Sequence, residues 1–247
     1  MSTYLLNTKK EFSKLLYRKK YIVFLIIGVA IVALRFGAGA LITRFTGGSV
    51  VLKSNIALEL LRLVAEFFVP IIAFMGAADL FSTQQREDTL KADFMRPVTR
   101  FKLLLSKTTA IMIMCAIYFM AFFLVCAVVQ GISGAGFKHM PHAFLAYLLD
   151  LVPLVNIVLL AVLVNLISPS PSMAMLLSLV AYALLKYCSY FVGNVSQLLF
   201  TSYSLWHNLW IGSGLPFGAI AWKLGVIFGS MLILFSVSCI MFDRKEV

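Results

Sequence analysis

Glu66, Asp150 and Lys186 are the residues best placed to do chemistry, because each falls inside a long apolar stretch. An ionisable group at the centre of a membrane span costs roughly 2.5–3.5 kcal/mol, so a group kept there marks a functional candidate. Glu66 shares a helical face with Glu59 and Arg62. Tyr182, Lys186 and Tyr190 recur at every fourth residue, with Asn194 continuing the row. Glu66 has one partner within reach on its own helix, Arg62.

Other apparent chemistry is weak. Gly131-Ile132-Ser133-Gly134 spells an intramembrane serine-protease sequence, but that reaction needs a histidine base on a later span. His139, His142 and His207 all lie in expected loops. His139 and His142 supply half a metal site and no third ligand. Asn194-Val195-Ser196 fits a glycosylation sequon but falls at an expected helix end. There is no GxxxxGK[ST] phosphate loop. No catalytic residue and no directly bound cofactor or metal is expected, and the chain is not read as an enzyme.

The elements that carry these residues follow from composition. Of 247 residues, 62% are hydrophobic and only 13% charged. Soluble domains sit nearer half apolar and a quarter charged, so the balance indicates a multi-pass membrane protein. The net charge of +11 would suggest nucleic acid in a soluble protein. Here the bases flank apolar runs, so topology and anionic lipid explain them and no nucleic-acid partner is expected. Cys115, Cys126, Cys188 and Cys239 lie within apolar segments and read as packing residues. A cleavable signal peptide is not expected, since a polar stretch precedes a first apolar run longer than an h-region.

The expected fold is all-α: an amphipathic interfacial helix within residues 1–20, then a six-span domain over 21–247. Spans are expected at about 21–42, 56–81, 103–130, 143–167, 173–198 and 217–242. Tyr4, Leu5, Thr8, Phe12, Leu15 and Leu16 form the first helix's apolar side, opposite Lys9, Lys10, Lys14 and Arg18. Arg35 lies toward the far end of span one. Ser168–Ser172 breaks the chain with two prolines. Residues 199–216 hold no Asp, Glu, Lys or Arg. They read either as a re-entrant hairpin or as an aromatic belt around Trp206 and Trp210. Ala221, Gly225 and Gly229 form a small-residue stripe, expected to serve internal packing rather than a dimer seam. With the N-terminus inside, most of the 21 Lys and Arg fall on the cytoplasmic side. Both termini and residues 82–107 are then cytoplasmic.

That interval, STQQREDTLKADFMRPVTRFKLLLSK, is the only long polar break between apolar segments. Gln85, Arg86, Glu87, Thr89 and Leu90 lead to a Pro97-x-Thr99-Arg100 turn and a basic, leucine-rich run to Lys107. The pattern resembles the first cytoplasmic loop of permease subunits in the type 2, exporter-like ABC transporter family. Asp88 stands where that family commonly has glycine. The N-terminal helix resembles the family's in-plane connecting helix, and a hairpin before the last helix is common there.

The resemblance implies an exporter subunit of a prokaryotic cell membrane, moved by ATP and Mg held on a separate ATPase chain. A second permease copy or paralogue and membrane lipids are the other implied partners. Arg86, Glu87, Asp88, Thr89, Leu90, Arg96, Pro97 and Arg100 are the implied docking residues. In that family spans two and five line the path, which would place Glu66, Tyr182, Lys186 and Tyr190 on it. Glu66 and Lys186 then either pair and gate it or offer charge to an amphipathic substrate, or they form a structural ion pair, with Glu66 satisfied by Arg62. The substrate would be hydrophobic or amphipathic, such as an antimicrobial peptide, drug or lipid, and antibiotic self-protection is one use. The alternative is an ion-coupled transporter relaying through Glu66, Asp150 and Lys186.

Overall fold

The computed structural model describes residues 3–46, 56–94, 98–132, 140–210 and 217–244. Among these residues every regular element is a helix. Helix α1 (Thr3–Leu16) precedes α2 (Lys19–Thr46). Helix α3 (Ala57–Arg86) ends before a short α4 (Thr89–Phe94). Helix α5 (Arg100–Ile132) leads to α6 (Met140–Leu149) and α7 (Leu151–Ile167), joined at Asp150. Helix α8 (Pro171–Phe191) is followed by α9 (Gly193–Ser196) and α10 (Phe217–Asp243).

Among the described residues, five helices are long and apolar enough to cross a membrane: α3, α5, the joined α6 and α7, α8 and α10. Helix α2 has 28 residues and, at 1.5 Å per residue, extends about 42 Å. The core is built around α3, whose Ile72, Ala73, Phe74 and Ala77 are closed off from solvent. The α8 start is set by Ser170, whose hydroxyl accepts from the Met173 N–H ahead of Pro171. Inside the bundle, Asn165 Oδ1 accepts from Ser82 at 2.7 Å, and Asn156 Nδ2 donates to the Ile227 carbonyl at 3.2 Å. Such side-chain bonds hold helices together where no hydrophobic force acts between them.

Three expectations need correction. Helix α3 does not end near 81: it runs to Arg86, and α5 begins at Arg100, so only 87–99 separate them. The polar residues Ser82, Thr83 and Gln84 are buried in the bundle, where Ser82 and Gln84 bond to the polar side chains of Asn165 and Glu11. In α1, the inward row is Thr8, Glu11 and Leu15, whereas Leu5 and Leu16 face outward. A charged partner inside the bundle draws Glu11 in, against its polarity. The α10 stripe packs against none of the described residues at its glycines, since a Cβ on Gly225 or Gly229 would meet no described atom within 4 Å.

The close helix approach lies elsewhere. A Cβ on Gly28 would come within 2.5 Å of Phe122, and one on Gly76 within 3.2 Å of Ile111. All four cysteines are free, with Cys115 and Cys126 buried. The described part of 199–216 forms two short 3-10 turns, Phe200–Tyr203 and Trp206–Leu209. Trp206 is buried and Trp210 is 47% exposed, so only Trp210 sits as a belt residue would.

Candidate functional site

Two charged sites lie at opposite ends of α3, and each coincides with a widened π-helical turn. Val64–Phe68 carries Glu66 and Ala78–Ser82 carries Asp79. Such turns are rare and concentrate at functional sites. The first has a local cause. Pro70 has no N–H to return to the Glu66 carbonyl four residues back. The Tyr182 hydroxyl of α8 donates to that carbonyl instead, at 3.1 Å.

Around Glu66, Oε1 accepts from Lys186 Nζ at 3.0 Å and Oε2 from Arg62 Nε at 3.4 Å. Lys186 also donates to the Thr201 carbonyl at 2.9 Å and Ser204 Oγ at 2.7 Å. One ammonium thus joins α3, α8 and the 200–209 segment. Arg62 donates to Tyr190 Oη at 3.1 Å. Both pairings anticipated for Glu66, across spans and within its own helix, are present together. A groove of ≈ 630 Å³ opens beside them, lined by Leu63 and Phe67 as well as the charged pair. It shares Arg62, Glu66, Lys186 and Tyr190 with a second cavity of ≈ 450 Å³ that reaches Tyr203, Asn208 and Lys223. Asp150 does not join the pair. Its carboxylate accepts from the His207 backbone at 2.7 Å and lies 2.8 Å from His207 Nδ1. Asn194 is a helical residue of α9, outside α8.

The other end of α3 holds a denser network. Asp79 Oδ1 accepts from Arg18 and Lys20, and Oδ2 from Tyr21 Oη, each at 2.7 Å. This fixes the α1–α2 junction on α3. Lys107, expected among the cytoplasmic bases at the start of span three, is fully buried in α5. Its ammonium reaches Asp93 Oδ2 at 3.2 Å, Glu11 Oε2 at 3.4 Å, the Leu80 carbonyl at 3.4 Å and Gln84 Oε1. Gln84 Nε2 donates to Glu11 at 3.3 Å, and Lys14 donates to Glu11 at 2.7 Å. Burial would raise the Asp93 carboxyl, but Lys107, Lys14 and Lys10 outweigh it and hold the group below the ordinary carboxylate value.

The expected docking residues divide by environment. Arg86, Glu87, Asp88 and Thr89 are exposed on the turn between α3 and α4. Asp88 has φ 53°, the left-handed region that favours glycine and tolerates aspartate. An aspartate thus meets, in this chain, a backbone angle that glycine would also meet. Leu90 is buried and anchors α4 to the core. Arg100 donates to the Asp243 carbonyl and so caps the end of α10. Arg96 and Pro97 lie outside the described residues, as do Ser133 and His139; for Arg35 only the backbone helix is described.

Sequence reasoning missed Glu11, Asp79, Lys107 and His207 as partners. Glu11 had a signal, being the only acid before Glu59, and Asp79 fell inside an expected span. Among the described residues no group of His, Cys, Asp or Glu is arranged to hold a metal. Residues 8–186 match the family model described as ABC-2 family transporter protein. No curated protein matches the chain. The match covers well over half of the sequence, and with its long apolar helices the chain belongs to the ABC-2 transporter family, as a multi-pass permease subunit.

Proposed function

We propose that the chain is the membrane half of an ATP-driven exporter, moved by a separate ATPase chain that binds ATP and Mg. The observation that carries this reading is the clasp on α4, together with the family match. A solvated connector would need no buried tether. Here Asp93 of α4 is tied through Lys107 to α5 and, through Glu11, to α1. A push on the exposed turn Arg86–Thr89 is therefore passed to three helices at once. Arg96 and Pro97 complete the proposed docking face, with Leu90 and Arg100 holding its base. The connector 87–99 and both termini face the cytoplasm of a prokaryotic cell, and a second permease copy or paralogue completes the path.

Motion of α3 and α8 then works on the Glu66–Lys186 pair, with Tyr182 and Tyr190 beside it. The solute is hydrophobic or amphipathic. The ion-coupled alternative needs Asp150 joined to Glu66 and Lys186. Its attachment to His207 favours the ATP-driven reading.

Co-purification with the ATPase chain tests the proposal. Glu87→Gln combined with Arg86→Gln is expected to weaken ATP-stimulated association at least tenfold. Undiminished association of that double variant would reject the docking face.

A further inference from the structure

The joined cavities at Glu66 have a charge pattern that selects their occupant. We propose that they bind an anionic amphiphile, with a phosphate or carboxylate head in the cavity reaching Lys223 and its apolar body along Leu63 and Phe67. This rests on reading that groove as the solute path.

The cations lining the two cavities outnumber the carboxylates, with Arg62, Lys186 and Lys223 against Glu59 and Glu66. Both oxygens of Glu66 are taken, by Lys186 and by Arg62. Glu59 also has a partner. A cationic head would have to compete with Lys186 and Arg62 for Glu66. Lys186 has used its three donors on Glu66, Thr201 and Ser204. Arg62 has not. Its side chain is 62% exposed, and among the described residues its five-donor fork is occupied only by Glu66 and Tyr190. Lys223 lines the second cavity with its ammonium 6.0 Å from the Tyr203 ring centroid. It has no carboxylate partner among the described residues. Two cations with unused donors thus face one chamber, beside the exposed Asn208. Cations held in an apolar span are costly unless met by an anion. Below them Phe67 is 61% exposed, a surface suited to an acyl chain or aryl body.

The test uses the full chain in phosphatidylcholine nanodiscs, read by tryptophan fluorescence, without any ATPase. Dodecyl phosphate is expected to bind saturably. Inorganic phosphate and dodecyltrimethylammonium are expected to bind at least tenfold more weakly. Arg62→Gln with Lys223→Gln should weaken dodecyl phosphate at least tenfold at an unchanged melting temperature, and Arg62→Lys with Lys223→Arg should restore it. Equal binding of the cationic amphiphile, equal binding of inorganic phosphate, non-saturating partition, or full affinity in the Gln pair would each overturn the proposal. The readout needs no partner chain, so a failure here leaves ATPase docking standing, and a failure of docking leaves this site standing.

Discussion

Asp93 Oδ2 lies 3.2 Å from Lys107 Nζ, joining the short helix between two spans to the buried start of the next. Lys107 is 0% exposed and Asp93 5%. Removing one member of such a pair leaves charge without a partner, which costs about 3–5 kcal/mol. Lys107→Met is therefore expected to lose that much in denaturant unfolding in detergent. Replacing the whole knot by Lys107→Met, Glu11→Gln and Asp93→Asn should recover most of it, because no buried charge is then stranded. If the knot transmits the push of the ATPase, the triple variant folds but loses ATP-driven transport. Full transport in it would show that the knot only holds the fold.

Asp93 also sets an acid limit. Its folded value lies below its ordinary one, so the ionised form is favoured by folding. The contribution is complete above the unfolded carboxylate value of about 3.9 and is lost as pH falls through the folded value. Melting temperature should therefore drop as pH is lowered below about 4. Asp93→Asn should be less stable at pH 6 and should flatten that acid limb. An equally steep limb in the variant would assign the loss to other groups.

The helices were legible because membrane spans announce themselves by long apolar runs; α10 matches its expected bounds within a residue. Glu66 and Lys186 were legible for the same reason, since charge stands out against an apolar background. Lys107 was not, because a basic run beside a span looks the same whether its last lysine faces water or the bundle. Its burial depends on Glu11, distant in sequence, and a tertiary partner overrode the periodicity of α1. The stripe at Gly225 and Gly229 misled because small residues permit close approach without specifying the neighbour. Asp88 was noticed only as a departure, and its reason needed a backbone angle.

Tyr182 and Pro70 should behave as one unit. The hydroxyl of Tyr182 serves the Glu66 carbonyl, which Pro70 leaves without its usual donor. Tyr182→Phe should cost about 1 kcal/mol by leaving that carbonyl unsatisfied. Pro70→Ala restores a backbone donor, so the hydroxyl becomes redundant. In a double-mutant cycle the second Tyr182→Phe should cost less, with a coupling of about 0.5–1 kcal/mol. Additive costs in thermal unfolding would mean that Tyr182 acts through its ring alone, by its edge contact with Phe74.

Glycines in α2 and α10 should respond in opposite senses to alanine. At Gly28 a new Cβ would lie 2.5 Å from Phe122 Cζ and 3.2 Å from Phe68 Cε1. Those two rings already pack with centroids 5.1 Å apart and are almost fully buried. Neither ring has free space to move into, so Gly28→Ala should cost about 1–3 kcal/mol as overpacking. At Gly225 the new methyl meets none of the described residues, and alanine removes the entropy cost of helical glycine, about 0.5–1 kcal/mol. Gly225→Ala should therefore raise the melting temperature of the isolated chain. If it instead lowers the melting temperature only where two copies associate, the α10 stripe is a seam between copies, and its small residues are explained by a neighbour outside this chain.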